Sequence, residues 1–331
     1  KEYGGRPEWS ALHEKITKKV IITACGEQDP AYRQYVAESW PGILFVKTLQ
    51  MRAYAYPWYV MPEGESKDTL KAAFMKAEIL DGKSALTDGY CTWMDGHVYV
   101  GEVPEGQFGS NPNIVNDWFG ARMLGIVPDK YDFLSEGDSP TYFPLFPCWG
   151  FRTLENFSWG GIAGRYHPVE DQFNSKGEPL NLWDVSMDPY TDREGKTHEI
   201  ESMWLYVADI QRDFAARAAW VDAETFEKGE HAPALCIREG LDHEVSPAGE
   251  LTLTPEASSP DGVAVTLSAR IYAEASAPWA AKASLLREGD AFRLRLPAEA
   301  KAGDRIHVIF KAQAEGHYRL VRYQQAVVTV K

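Results

Sequence analysis

Strict alternation of apolar and polar residues sets the last part of this 331-residue chain apart from the rest. Val265, Leu267, Ala269 and Ile271 fall on one side of an extended chain, and Thr266, Ser268 and Arg270 on the other. That is the pattern of a strand with one face in a core and one in water. The runs ELTLTPE, AFRLRLPA, RIHVIFKAQ and YRLVRYQQAVVTV repeat the theme, punctuated by Gly and by Pro-Asp-Gly. Together they predict an all-β domain over residues 231–331, an immunoglobulin-like sandwich without the immunoglobulin cysteine spacing.

Residues 1–230 read differently. An N-terminal stretch after Pro7 suits a helix, and the β-branched run ending at Cys25 suits a buried parallel strand. Tyr32, Tyr35, Val36 and Trp40 recur at helical spacing, Pro41-Gly42 stops them, and ILFV follows as a second strand. This is one α/β unit. A doubly wound domain needs several, so the α/β layer reads as incomplete in this chain. One continuous helix is expected over 66–80, capped by Ser66, with Leu70, Ala73, Phe74, Ala77 and Leu80 on its buried face. Residues 85–110 suit hairpins or loops, and 113–125 a helix. Residues 134–166 form an irregular aromatic segment, and 167–200 a polar surface excursion. An amphipathic helix from Trp204 to Val221 closes the body, and ETFEKGEHAPA reads as a linker.

Charge narrows the function. Asp and Glu number 48 against 34 Lys and Arg, a net charge of −14 that repels phosphate backbones, so nucleic acid is excluded as a partner. No apolar run is long enough for a membrane-spanning helix. The 11 Trp, 16 Tyr and 14 Phe suit cores, and equally sugar-stacking surfaces. Cys25, Cys91, Cys148 and Cys236 are far apart and read either as separate buried thiols or as including a single disulfide, rather than as a stapling framework. There is no HExxH, GxSxG, P-loop or dinucleotide fingerprint.

Two carboxylate groups stand out. Glu27 and Asp29 follow the first strand, at the edge where open α/β sheets bind ligands. Glu136 and Asp138 flank a glycine just before Ser139 and Thr141, a set that can either ligate a hard cation or close an Asx turn. Asn156, Trp159, Arg165, Tyr166 and His167 bracket Gly160, Gly161 and Gly164, which permit tight turns and close approach. Trp159 and Tyr166 are candidates to stack on a sugar ring. Arg165 is a candidate either to hold a carboxylate or to form a structural ion pair.

The stretches VIITACGEQD, PGILFV after Trp40, EGDSPTYF, SWGGIAGRY, RDFAARAAWV, HAPA, SSPDG, IHVIF and LVRYQQAVVTV resemble the nucleoside-hydrolase-like family that includes a cellulose-binding protein. Residues 50–115 match it poorly. The resemblance implies a nucleoside-hydrolase-like α/β body with an appended β-sandwich. It also implies a Ca²⁺ ion held by an early aspartate cluster and one late aspartate, which orients water against a glycosidic bond. Asp138 resembles the late aspartate and is the expected metal ligand, with Glu136 beside it. The aspartate-rich opening has no counterpart here. The chain is therefore expected to be the second half of the α/β domain, completed by an N-terminal segment or a second polypeptide. The expected function is hydrolysis of a carbohydrate or glycoside by Glu27, Asp29, Glu136 and Asp138, in a periplasmic or extracellular setting. The alternative is non-catalytic polysaccharide binding.

Overall fold

The structure is a computed structural model that describes residues 6–25, 32–48, 61–81, 87, 129, 131–133, 139–145 and 149–331. The segments expected at 85–110 and 113–125 lie largely or wholly outside these residues.

The strand, helix, strand unit forms as the pattern predicts. β1 (Ile21–Cys25) runs parallel to β2 (Leu44–Thr48), and short helical turns over Tyr32–Val36 and Ala37–Ser39 lie between them in sequence. β3 (Tyr166–Pro168) and β4 (Leu182–Val185) complete a four-stranded sheet in the order β1-β2-β4-β3, with β4 parallel to β2 and β3 antiparallel to β4. Neighbouring residues of a strand face opposite ways. Phe45 accordingly packs with Tyr32, Ala37 and Leu182, while Val46 packs with Phe157, Ala163 and Tyr166. Both faces are covered, which is why these strands read as apolar runs.

Residues 167–200 are not a surface excursion. They supply β4 to the sheet and then the hairpin β5 (Met187–Thr191) and β6 (Thr197–Glu201). Asp192 closes the turn by accepting from the backbone N–H of Glu194 and Lys196, a local side-chain bond that lets a polar sequence form a defined hairpin.

The expected helix over 66–80 is broken. It runs as Glu65–Asp68, Ala72–Phe74 and a wider turn over Met75–Leu80. Lys71 is extended, and the freed Ala72 N–H donates to Asp132 Oδ1 at 2.8 Å. The break rotates the register: Leu70 is buried as expected and Phe74 and Leu80 pack against the core, but Met75 and Ile79 are buried in place of Ala73 and Ala77, which are exposed. Ser66 does not cap. Its hydroxyl donates to the Trp204 carbonyl.

After the Val207–Trp220 helix come β7 (Ala234–Ile237), β8 (Asp242–Val245), β9 (Glu250–Leu253), β10 (Pro255–Ser258) and β11 (Val265–Ile271). β12 (Ser284–Glu288), β13 (Ala291–Arg295), β14 (Arg305–Ala314) and β15 (Val321–Val330) follow. They form sheets in the orders β11-β14-β15-β8, β12-β13-β9 and β10-β7. The sheets share one core, in which Leu253, Phe292 and Leu294 meet Val308, Phe310 and Val328. Cys236 stands on β7 as an exposed free thiol rather than a buried one.

β14 and β15 carry long buried runs because the sheet is covered twice. Their even-numbered residues, such as Ile306, Val308, Ala326 and Val328, enter the β core. Odd-numbered Ile309, Val321 and Tyr323 instead join Phe151, Tyr206 and Val207 of the body. Tyr323 lies 4.8 Å from Phe151 and 5.8 Å from Tyr206, ring centre to ring centre. The two parts of the chain are thus held by a shared apolar layer rather than by a linker alone.

Gly164 shows how tight that layer is. Its φ is +80°, and a Cβ there would sit 2.5 Å from the Met203 backbone N. Gly164→Ala is expected to cost about 1–3 kcal/mol or more. Urea unfolding of the variant beside the wild type checks this, and equal midpoints would contradict it.

Candidate functional site

β1 and β2 run parallel and end at Cys25 and Thr48. The helix Ser139–Tyr142 packs against both strands. Glu27, Asp29, Glu136 and Asp138 lie outside the described residues. Among the described residues no cluster of three His, Cys, Asp or Glu can hold a metal ion.

The aromatic segment is well defined, and it is built into the junction with the β domain. Asn156 accepts from the Ser158 backbone N–H at 2.8 Å and from its hydroxyl at 2.7 Å. Trp159 has the Arg152 and Arg305 guanidinium groups 5.3 and 5.8 Å from its ring centre, and His307 at 5.1 Å. Tyr166 is 1% exposed and meets Phe157 edge-on. Arg165 donates to Asp188 Oδ1 from Nε at 2.8 Å. Of the five residues singled out in the sequence, only His167 is exposed, and its Nδ1 lies 3.2 Å from the Ser186 hydroxyl. Tyr166 is thus buried, while Asn156, Trp159 and Arg165 are half-buried and engaged by protein partners. The ring of Tyr166 has no open face for a sugar.

Buried polar groups stitch the junction. Asp188 is 1% exposed, and Tyr272 on the β side donates to its Oδ2 at 2.6 Å. Burial pushes the Asp188 carboxyl up, against the opposing pull of Arg165 and Tyr272. Asp209 of the Val207–Trp220 helix accepts from Lys311 at 2.9 Å and from the Tyr323 hydroxyl. Burial, reinforced by Asp209, raises the Tyr323 phenol far above its ordinary range, so it stays a donor. Gln325 accepts from the Arg152 N–H at 3.0 Å and donates to the Trp159 carbonyl at 2.9 Å. Sequence reasoning passed over Asp188, Asp209 and Gln325. The available signal was a polar residue inside an otherwise apolar run.

His307 is another such residue. Its Nδ1 lies 3.2 Å from Gln325 Nε2, an arrangement suited to a neutral ring. Burial, with Arg152 and Arg305 nearby, lowers its pKa to about 4. The unfolded chain takes up that proton near pH 6.5, and the folded chain only near the lowered value. The stability it contributes is complete above the unfolded value and falls as pH drops through this window, by on the order of 3 kcal/mol. Thermal unfolding across the window is expected to show a shallower acid slope in His307→Gln than in the wild type. Parallel slopes would contradict this.

Comparison with known proteins fits this geometry. Residues 6–166 match the nucleoside hydrolase-like domain described for the cellulose-binding protein Sde182. Residues 250–330 match the C-terminal domain described for the cellulose-binding protein Sde0182. A solved structure of a nucleoside hydrolase-related hypothetical protein from Saccharophagus degradans, associated with carbohydrate metabolism, is similar over 98% of this chain and 67% of that one. The pair has 16% identity and a TM-score of 0.66. At that identity the likeness establishes a shared fold. A chimeric titin Z1Z2 structure is similar over 31% of this chain and 97% of its own, at 16% identity and a TM-score of 0.22. No curated protein matches the chain significantly in sequence.

Proposed function

Because the chain belongs to the Sde182 family, through a match to each of that family's two domains, we propose that it acts on a carbohydrate or glycoside by cleaving a glycosidic bond. The observation that carries this is the parallel β1–β2 pair with the Ser139–Tyr142 helix packed on it. In this proposal the reacting groups are two carboxylate pairs, Glu27 with Asp29 and Glu136 with Asp138, which adjoin these elements in sequence. Cleavage needs one carboxyl group to protonate the leaving oxygen and a carboxylate to take a proton from water or to stabilise the oxocarbenium-like centre. All four side chains offer hard oxygen, a donor set that suits Ca²⁺. Asp138 and Glu136 would hold the ion, which when bound supplies Lewis acidity toward water.

A further segment or second polypeptide completes the α/β layer in this proposal. Two observations support it. β1 stands at the edge of the described sheet with Ile21 37% exposed, and a third of the Saccharophagus structure has no counterpart here. The C-terminal sheets then act as an immunoglobulin-like sandwich bracing the body. A polymeric substrate places the protein in the periplasm or outside the cell. No helix among the described residues is long and apolar enough to cross a membrane.

The second proposal, polysaccharide binding without cleavage, is supported by the cellulose-binding descriptions of both matched domains. Incubation with insoluble cellulose, soluble glucosides and nucleosides separates the two. New reducing ends from a saccharide, lost on adding a chelator, are expected. Retention on cellulose with no product would favour binding alone, and neither result would overturn both.

A further inference from the structure

A cleft of about 480 Å³ opens where the β5–β6 hairpin and the Ser202–Tyr206 turn meet the outer face of β11 and β14. Its volume lies within the roughly 300–1,000 Å³ usual for small-molecule sites, which favour domain junctions. Tyr206, Ser268, Arg270, Glu274 and Lys311 line it.

The charges in this cleft are not all accounted for. Asp188 is taken by Arg165 and Tyr272, and Lys311 by Asp209. Arg270 has no carboxylate within ion-pair distance among the described residues. It donates one N–H to the Tyr206 hydroxyl at 3.1 Å and lies 4.4 Å over the Tyr272 ring. Its other guanidinium donors find no protein acceptor among the described residues, and the residue is exposed on a wall of the cleft with its guanidinium partly enclosed. Glu274, on the same wall, forms neither an ion pair nor a hydrogen bond among the described residues. Two aromatic groups hold the guanidinium in place. A positioned planar fork recognises a carboxylate through two parallel hydrogen bonds. Glu274 accepts only, so it suits a ligand bearing hydroxyl donors, and the exposed Ser268 hydroxyl can serve either way.

The geometry points to a binding site for a small polyhydroxylated carboxylate, a sugar acid of the uronate type, with its carboxylate on Arg270 and its hydroxyls toward Glu274 and Ser268. A neutral sugar leaves the guanidinium fork without a carboxylate to take its free N–H donors. A simple carboxylate leaves Glu274 without donors. This site uses none of the residues of the hydrolytic proposal and does not depend on it.

Calorimetric titration of the whole chain with glucuronate, glucose and acetate tests it. Glucuronate is expected to bind at least about tenfold more tightly than either control, and more weakly as salt is added. Arg270→Gln is expected to remove that preference, and Arg270→Lys, which keeps the charge without the fork, to retain part of it. Glu274→Gln, at a residue that makes no ion pair or hydrogen bond among the described residues, is expected to weaken glucuronate severalfold. The proposal is overturned if the wild type binds glucuronate no better than glucose or acetate. It is equally overturned if a folded Arg270→Gln protein keeps the preference.

Discussion

Asp188→Ala is expected to destabilise the protein by about 3–5 kcal/mol, because it strands a cation in a buried site. Arg165 is only 13% exposed at its side chain and gives two hydrogen bonds to Asp188 Oδ1, and the Tyr272 hydroxyl gives a third bond to Oδ2. Removing the carboxylate leaves all three donors unsatisfied where water enters poorly. The pair is not thereby a net gain over an apolar replacement. The double change Asp188→Leu with Arg165→Met is expected to recover much of the loss, since it removes both desolvation penalties. Urea denaturation of the wild type, both single variants and the double variant measures this directly. A loss under 1 kcal/mol in Asp188→Ala would show that the network carries little. Because Arg165 and Asp188 belong to the body and Tyr272 to the β domain, the same loss reports on how firmly the two parts are coupled.

The elements legible in the sequence were those whose side chains face one environment. The parallel pair ending at Cys25 and Thr48 was readable from β-branched runs, and β11 from its alternation. The Val207–Trp220 helix was readable from its apolar stripe, although Val221 at the end of that stripe is exposed. What stayed hidden was set at long range. The break at Lys71 depends on Asp132, distant in sequence, satisfying the Ala72 N–H. β4 was obscured because its Asp184 and neighbouring polar residues mask a strand held by Leu182 between β2 and β3. Trp159, Arg165 and Tyr166 read in the sequence as candidate ligand contacts, and the structure adds their protein partners. A dense cluster of aromatics, glycines and a cation is also what a tight junction between domains requires. Distinguishing the two needs Tyr272, Arg305 and His307, which come from the β domain. Glu27, Asp29, Glu136 and Asp138 rest on the sequence and lie outside the described residues.

Asp138→Asn is expected to have the largest effect on activity. An amide at this position keeps the size of the side chain but removes the negative charge that would hold a cation and stabilise positive charge at the sugar. A single general acid–base or charge-stabilising group typically contributes on the order of 10²–10⁴ in rate. Asn can still accept a hydrogen bond from a backbone amide, so a carboxylate that served only to close an Asx turn would be replaced with little change. The substitution therefore separates the chemical role of Asp138 from a conformational one. Ligand retention is expected to survive it, because the amide keeps the size and much of the hydrogen-bonding capacity of the side chain.

The most direct test is the release of reducing ends from the saccharide that the wild-type protein cleaves, together with any completing segment or chain, measured side by side with Asp138→Asn. The account predicts a loss of about a hundredfold or more in rate at unchanged folding and retention. A folded variant that cleaves at the wild-type rate would contradict it.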